Sequence, residues 1–248
     1  MILDDIIARK RQDLLTMPAF SGALRLSQRD FRQALQQKSR AIIAECKARS
    51  PSEGVICSDY DLPTIVRDYV AGGAAALSVL TDAPYFGGSL ADLATVRGLC
   101  DLPLLCKDFV VDSKQVDLAR GHGADAVLLI MRVLTLPEAT ALKKQVESLG
   151  MTAVLEIFDE QDLGKALALD PEVILVNHRN LADFSVNRDK DNLLAKIPAS
   201  VTVIAASGIT APEQVQALPA RANAVLIGTA LMRAIDRVHF LERCHPAV

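Results

Sequence analysis

The stretch "AIIAECKARSPSEG", residues 41–54, is an apolar run that ends in charged residues, with Glu45 and Lys47 two positions apart before the break at Ser50-Pro51. Runs of the same apolar, β-branched character recur along the chain, and eight can be counted. They are "AIIAEC" at 41, "AAALSVL" at 74, "LPLLC" at 102, "DAVLLIM" at 125, "TAVLEI" at 152, "EVILV" at 172, "VTVIAAS" at 201 and "NAVLIG" at 223. Strands this uniformly apolar are covered on both faces, so the runs predict a buried parallel sheet.

Stretches with helical apolar spacing separate successive runs. "LPTIVRDYVAGG" closes on Gly72-Gly73 and "LPEATALKKQVESLG" closes on Gly150, and glycine commonly follows the last turn of a helix. The alternation predicts an α/β fold built from βαβ units. Eight units spaced roughly 20 to 35 residues apart fit a (β/α)8 TIM barrel, whose usual size is about 250 residues. A doubly wound open sheet is the alternative.

About 40 residues precede the first run, and they hold two further helical patterns, "LDDIIARKRQDLL" and "SQRDFRQALQ". Ser27 opens the second pattern and is a suitable N-cap residue. We therefore expect residues 1–40 to form an N-terminal helical extension that covers part of the barrel. No long linker or low-complexity tract interrupts the chain, so residues 1–248 are expected to form a single domain.

The composition predicts a globular chain with one large core, because half of its 248 residues are hydrophobic. A net charge of -3, from 27 basic and 30 acidic residues, gives no broad cationic surface. We therefore expect neither nucleic acid nor a membrane as a partner. The N-terminus carries charges through its apolar positions, which predicts a cytoplasmic protein without a signal peptide. Five cysteines without CxxC or Cys/His spacing predict neither a disulfide framework nor a metal site.

Polar residues stand at the ends of several predicted strands, where a TIM barrel builds its active site. They are Glu45 and Lys47 at the end of the first run, Lys107 after the third, Glu156 in the fifth, Asn177 and Arg179 at the sixth, and Ser207-Gly208 at the seventh. Side chains alternate along a strand, so Glu45 and Lys47 face one side and Cys46 the other. Such a cluster predicts an active site for an anionic ligand. The alternative is a structural ion-pair network.

The last two strand ends add glycines to this pattern. "AASGIT" contains Gly208, and "LIGTAL" contains Gly228 and Thr229. Loops after the seventh and eighth strands often bind phosphate through backbone N–H groups and a helix N-terminus. The pattern predicts a phosphate cradle, although glycines at these positions also serve simple turns.

The chain resembles the indole-3-glycerol-phosphate synthases of tryptophan biosynthesis over nearly its whole length. The shared motifs, in the family's order, are "IIAECKARSPSEG", "LSVLTDAPYFGGS", "LPLLCKDFVVD", "ADAVLLI", "VLEIFDE", "VNHRNL", "SGI" and "LIGTALM". The resemblance implies a carboxy-lyase that needs no metal and no cofactor. Its substrate would be the phosphosugar-anthranilate 1-(o-carboxyphenylamino)-1-deoxyribulose 5-phosphate, which is cyclised, decarboxylated and dehydrated to indole-3-glycerol phosphate.

The resemblance also implies roles for the charged residues. Lys107 would be the general acid at the ribulose carbonyl, with an ammonium acidified by burial and nearby cations. Glu156 would act as the base, and Lys47 would hold the carboxylate and serve as a possible second acid. Glu45 would keep both lysines oriented and charged.

The remaining family positions map onto substrate contacts. Asn177 and Arg179 match a substrate-contact strand, and Arg179 suits carboxylate binding. Phe86 and Phe109 would form an apolar wall for the anthranilate ring, with core packing as the alternative. The other carried-over contacts are Ser50 and Ser207, and, at the phosphate, Gly208, Gly228 and Thr229. His178 is expected to pack or to lie at the surface rather than to catalyse.

Two positions depart from the family's pattern. Ala206 stands where most members have glutamate, and Glu53 stands where many relatives have lysine. These departures leave two rivals open, a paralogue acting on a related arylamine sugar phosphate and a weakly active or non-catalytic phosphate-binding barrel. We expect a monomer or a weak homodimer.

Overall fold

The structure is a computed structural model that describes residues 2–37, 40–179 and 191–245. Within these residues, eight parallel strands close into a barrel in which each strand pairs with the next and the last pairs with the first. The strands are β1 Ala41–Cys46, β2 Ala76–Leu80, β3 Leu104–Lys107, β4 Ala126–Ile130, β5 Thr152–Ile157, β6 Val173–Asn177, β7 Thr202–Ala206 and β8 Ala224–Ile227. The predicted (β/α)8 barrel is confirmed, and the open-sheet alternative is wrong.

Helices precede, connect and follow the strands. They are α1 Ile2–Thr16, α2 Phe31–Gln36, α3 Leu62–Ala71, α4 Ala83–Phe86, α5 Leu90–Leu99, α6 Ser113–Gly121, α7 Leu136–Ser148, α8 Glu160–Leu167, α9 Asp191–Ala195, α10 Glu213–Gln216, α11 Thr229–Arg233 and α12 Arg237–Cys244. Local signals explain where several begin. In α7, Thr135 accepts from the Glu138 backbone N–H while the Glu138 carboxylate accepts from the Thr135 backbone N–H, a reciprocal cap at the N-terminus.

Strand alternation divides the core into two apolar layers. Ile43, Leu128 and Leu175 point into the barrel and belong to an inner cluster. Ile42 and Leu129, which point the other way, belong to a cluster between the sheet and the helices. Because both faces are buried, the strands need apolar residues at nearly every position, as the eight runs have.

The first helix of the N-terminal extension is held to the barrel by a buried lysine. The Lys10 Nζ atom lies 2.7 Å from Asp82 Oδ2 and 2.7 Å from Asp108 Oδ1. Burial alone would lower the pKa of Lys10, but the Asp108 and Asp82 carboxylates outweigh it and raise that pKa. Asp82 and Asp108 follow β2 and β3, so α1 contacts the same end of the barrel as the predicted site.

The second extension helix starts later than the sequence predicts, and the Ser27 cap is wrong. The helix begins at Phe31, and the Asp30 carboxylate accepts from the Gln33 backbone N–H as the N-cap. Ser27 instead donates its hydroxyl to Asp125 Oδ1 at 2.7 Å. A buried carboxylate on the barrel therefore recruits the serine, an interaction that local sequence does not reveal.

Asp125 is a fully buried carboxylate at the start of β4. Arg97 Nη1 lies 2.9 Å from one of its oxygens, and Arg120 Nη1 lies 3.3 Å from the other. The Leu104 backbone N–H also donates to it at 3.0 Å. These contacts connect α5, α6, the start of β3 and the N-terminal extension at the amino ends of the strands, opposite the predicted site.

We expect Asp125→Asn to lower the free energy of unfolding by about 3 kcal/mol, because two partly buried guanidinium groups lose their buried counter-charge. Urea unfolding followed by circular dichroism measures the loss. Asp101→Asn is the matched control, since Asp101 also pairs with an arginine, Arg29, but is exposed. The control is expected to leave the unfolding midpoint unchanged. A loss at Asp125 no larger than the control's would contradict its role.

None of the helices in the described ranges is long and apolar enough to cross a membrane. Asn180 and Leu181, the last two residues of the "VNHRNL" motif, lie outside the described residues.

Candidate active site

A cavity of about 950 Å³ opens at the carboxyl ends of the strands. Nine of the residues predicted from the sequence line it. They are Glu45, Lys47, Lys107, Asn177, Arg179, Ser207, Gly208, Gly228 and Thr229. These residues come from β1, β3, β6, β7 and β8 or from the loops that follow those strands, and barrel closure brings them together.

Glu45 is the centre of the charged cluster. It is 2% exposed, and its two carboxylate oxygens face different lysines, with Lys47 Nζ at 2.7 Å and Lys107 Nζ at 3.5 Å. Burial alone would raise the pKa of Glu45, but the two ammonium groups outweigh it and lower that pKa. Glu45 is therefore held as a carboxylate between two cations.

Lys107 differs from the sequence expectation of an acidified ammonium. Burial does lower its pKa, but Glu45 and Glu156 raise it by a larger amount, so the net pKa lies above the ordinary value. The expectation is wrong because the charges that act most strongly on Lys107 are carboxylates rather than cations. Lys107 is thus a charged ammonium at neutral pH.

Glu156 is the second buried carboxylate, at 2% exposure. Burial raises its pKa, and the opposing effects of Lys107 and of a hydrogen bond from Asn177 leave the net pKa above the ordinary value. Asn177 Nδ2 donates to Glu156 Oε1 at 3.2 Å. Two glutamates of equal burial are therefore shifted in opposite directions, an arrangement suited to separate tasks.

Asn177 also connects the end of its own strand, β6, to the end of β7. Its Oδ1 atom accepts from the Ser207 hydroxyl at 2.8 Å and from the Arg179 backbone N–H at 3.0 Å. Ser207 has a φ of 71°, which is unusual for a residue other than glycine and is common at functional sites. Side chains at the carboxyl ends of β5, β6 and β7 thus form one hydrogen-bonded chain from Glu156 through Asn177 to Ser207.

The glycines of the predicted cradle have different physical reasons. Gly208 adopts a φ of 85°, which favours glycine. Gly228 has a negative φ, but a Cβ atom there would collide with Glu45 Oε1 and lie 2.9 Å from Lys47 Nζ. Gly228 therefore leaves room for the Glu45–Lys47 ion pair, which any larger residue at this position would have to displace.

The two predicted aromatic residues lie beside one another but outside the described cavity lining. The Phe86 and Phe109 ring centroids are 6.1 Å apart. Phe109 belongs to the inner barrel cluster, and Phe86 packs against it. Their role as an anthranilate wall stays a prediction. Ser50 is buried and lies in the loop after β1, where its hydroxyl is 3.4 Å from that of Ser52.

The cavity also contains residues that sequence reasoning did not assign to the site. Leu226 and Phe240 supply apolar surface, and Arg233 supplies a further cation. A signal existed for two of them. Leu226 precedes Gly228 by two residues on a strand and so shares its face, while Arg233 follows Thr229 by one helical turn. Phe240, on α12, gave no such signal.

The two departures noted in the sequence both reach the cavity. Ala206 ends β7 and lines the cavity, as does Glu53 from the loop after β1. His178, for which the sequence left packing and surface open, is buried, and its Nδ1 atom donates to the Ala206 carbonyl at 3.0 Å. Among the described residues, no group of three or more His, Cys, Asp or Glu is arranged to hold a metal ion.

Solved structures similar to this chain share its fold. Thiamine phosphate pyrophosphorylase from Pyrococcus furiosus superposes with a TM-score of 0.61 at 16% identity, covering 87% of this chain and 96% of that one. KGPDC from Streptococcus mutans superposes with a TM-score of 0.64 at 12% identity, covering 83% and 95%. At these identities the likeness supports the barrel and nothing about the reaction.

Sequence comparison is more specific. Indole-3-glycerol phosphate synthase from Polaromonas sp. is 42% identical, covering 95% of this chain and 94% of its own length. The enzyme of that name from Dechloromonas aromatica is also 42% identical, with 94% of each chain covered. A model of the indole-3-glycerol phosphate synthase family matches residues 3–244. With the motifs and the strand-end cluster in the same order on one barrel, the chain belongs to the indole-3-glycerol phosphate synthase family.

Proposed function

We propose that the protein is an indole-3-glycerol phosphate synthase, a lyase that converts 1-(o-carboxyphenylamino)-1-deoxyribulose 5-phosphate to indole-3-glycerol phosphate, carbon dioxide and water. The observation that carries the proposal is the pairing of Glu45 with both Lys47 and Lys107, in a cavity that also contains the glycines of β7 and β8. The site thus combines buried acids and bases with surfaces suited to a phosphate and a carboxylate.

We assign the first proton transfer to Lys107. When the aniline ring carbon attacks the ribulose carbonyl, negative charge develops on the carbonyl oxygen, and an ammonium can donate a proton to it. The raised pKa of Lys107, caused by Glu45 and Glu156 against the effect of burial, keeps this proton in place at neutral pH. Because the proton is needed only as charge develops on the oxygen, Lys107 stabilises the transition state more than it stabilises the bound substrate.

The later steps need a base and a second acid. The ring carbon that formed the new bond also carries the carboxylate, and loss of carbon dioxide from it returns the electron pair of the broken bond to the ring. An acid then gives a proton to the hydroxyl group, which leaves as water. A base removes the carbon-bound proton whose loss completes the indole ring. Glu156 is our base, because burial raises its pKa above that of an ordinary carboxylate. Lys47 holds the substrate carboxylate and is our second acid.

Several residues that line the cavity are assigned to binding. The backbone around Gly208, Gly228 and Thr229 is proposed to bind the phosphate, and Arg179 the carboxylate. The hydrogen bond from Ser207 to Asn177 orients the loops that carry Gly208 and Arg179. Phosphorylated metabolites are charged and are retained inside the cell, so we propose that the reaction takes place in the cytoplasm.

The direct test is an assay with the proposed substrate, following indole fluorescence and released carbon dioxide together. We expect both products to form in equal amounts. No fluorescence at high protein concentration would favour a paralogue with another arylamine sugar phosphate. Tight phosphate binding without turnover of any such substrate would favour a non-catalytic barrel.

Ala206 permits a separate prediction about activity. It lines the cavity at the end of β7, in register with Asn177 on β6. We expect Ala206→Glu to raise kcat/KM about tenfold, equivalent to ~1.4 kcal/mol, because it restores a carboxylate that most family members use. Steady-state kinetics on purified protein measures the change. An unchanged or lower rate would mean that the site is built around alanine.

A further inference from the structure

The loop after β1 forms a short hairpin beside the cavity. Arg49–Ser50 pairs antiparallel with Gly54–Val55, and we call residues 49–55 the β1 hairpin. Glu53 lies at its tip, where the Glu53 backbone N–H donates to the Ser50 carbonyl at 3.3 Å. Gly54 has a φ of 65°, as the turn requires. The hairpin therefore presents the Glu53 carboxylate to the cavity, which it lines.

Two arginines from other strand ends contact the tip of the β1 hairpin. Arg179 Nη1 donates to the Ser52 hydroxyl at 3.4 Å, and Arg233 Nη2 lies 3.1 Å from Glu53 Oε2. Arg179 follows β6, while Arg233 ends the helix that follows β8. Both arginines line the cavity. The hairpin tip thus connects to basic groups on separate parts of the cavity rim.

Arg233 is placed by the same helix that begins at the proposed phosphate cradle. Thr229 and Arg233 are the first and last residues of α11 and are four positions apart. Residues four apart lie on one face of a helix, and these two both line the cavity. Arg233 is therefore the cationic side chain nearest in sequence to the cradle formed by Gly228 and Thr229.

The ion pair between Arg233 and Glu53 is a weak one. The Arg233 side chain is 51% exposed and that of Glu53 is 30% exposed, so water and salt screen their attraction. A phosphate dianion carries twice the charge of a carboxylate and offers three acceptor oxygens to a guanidinium group. A phosphate in the cradle can therefore replace Glu53 as the partner of Arg233.

We propose that Arg233 is a ligand of the substrate phosphate and that Glu53 competes with the phosphate for it. The inference rests on the proposed function, because it takes the cradle to bind a phosphate. Glu53 then lowers phosphate affinity by occupying Arg233, and its release frees the tip of the β1 hairpin from α11. The lysine that many family members carry at this position would not form such a pair.

Calorimetric titration with inorganic phosphate, at fixed pH and ionic strength, tests the inference on the full chain. We expect Glu53→Gln to bind phosphate about threefold more tightly than the unmodified protein, the scale of an exposed ion pair. We expect Arg233→Gln to bind about tenfold more weakly, the scale of a lost charged hydrogen bond. Glu213→Gln is the matched control, because Glu213 pairs with Arg243 outside the cavity lining. It is expected to leave the affinity unchanged.

The double variant identifies how Glu53 acts. If Glu53 acts through Arg233, adding Glu53→Gln to Arg233→Gln gives no further change in affinity. If tightening persists in the double variant, Glu53 merely repels the phosphate and the competition is overturned. Unchanged affinity in Glu53→Gln, or no phosphate binding by the unmodified protein, also overturns it.

The substrate assay separates this inference from the proposed function. Indole production without the expected changes in phosphate affinity would remove the Arg233 assignment and leave the activity in place. The expected affinity pattern without indole production would support the assignment of Arg233 as a phosphate ligand and contradict the proposed reaction.

Discussion

Replacing Lys107 with methionine is expected to lower kcat/KM about a thousandfold. Methionine keeps much of the side chain's length but cannot donate a proton to the carbonyl oxygen, and general acids contribute about 10²–10⁴ in rate. The change also removes one of the two cations beside Glu45. Indole formation under steady-state and single-turnover conditions measures the loss. We expect it mainly in the rate of the chemical step, because Lys47 and Arg179 remain to bind the anionic substrate.

Two further variants make this prediction specific. Lys107→Arg keeps a positive charge, but its guanidinium gives up a proton far less readily, so it is expected to remain strongly impaired. Lys196→Met removes an exposed lysine that pairs with Glu160 outside the cavity lining and is expected to leave turnover unchanged. Product formation by Lys107→Met at the rate of the unmodified protein would mean that Lys107 has no chemical task.

Replacing Glu156 with glutamine is expected to reduce turnover about a thousandfold, since the proposed base can no longer accept a proton. The pH dependence gives an independent signature. A base works only when ionised, so activity falls as the pH falls through its pKa. Because burial raises the pKa of Glu156, we expect the acid limb of kcat/KM to lie above the ordinary glutamate value. The limb should be missing from the residual activity of Glu156→Gln.

The same substitution should stabilise the protein. A carboxyl group whose pKa is higher in the folded state binds its proton more tightly there, so its ionised form opposes folding at neutral pH. We therefore expect Glu156→Gln to raise the urea midpoint at pH 7. Glu45→Gln is the matched comparison, since Glu45 is equally buried but has a lowered pKa. Its charge favours folding above the ordinary glutamate pKa, and its loss should lower the midpoint. Shifts of the same sign in both variants would contradict this assignment.

The sequence predicts the barrel well because each strand carries its signal locally. Each of the eight apolar runs overlaps a strand, and the alternation from Ile43 to Glu45 places the carboxylate inside the barrel as expected. The residues at the strand ends could also be named, because topology alone sends those ends to one side of a barrel.

What the sequence does not predict depends on contacts between distant segments. Ser27 is drawn from helix capping by Asp125, which lies 98 residues later. The pKa of Lys107 is raised by Glu45 and Glu156. Their positions at strand ends do not reveal which charges lie nearest to Lys107. Likewise, the need for glycine at position 228 follows from the location of the Glu45–Lys47 ion pair on another strand.

The pairing of β1 with β8 has a consequence for how the protein matures. Ala41 lies beside Ala224, and Ala44 lies beside Ile227. The strand that contains Glu45 can therefore pair with β8 only after almost the entire polypeptide has left the ribosome. A nascent chain that ends before β8 has an unpaired edge on its first strand. Catalytic competence should therefore emerge at the end of translation, and nascent chains halted before residue 224 should be inactive however much of their secondary structure has formed.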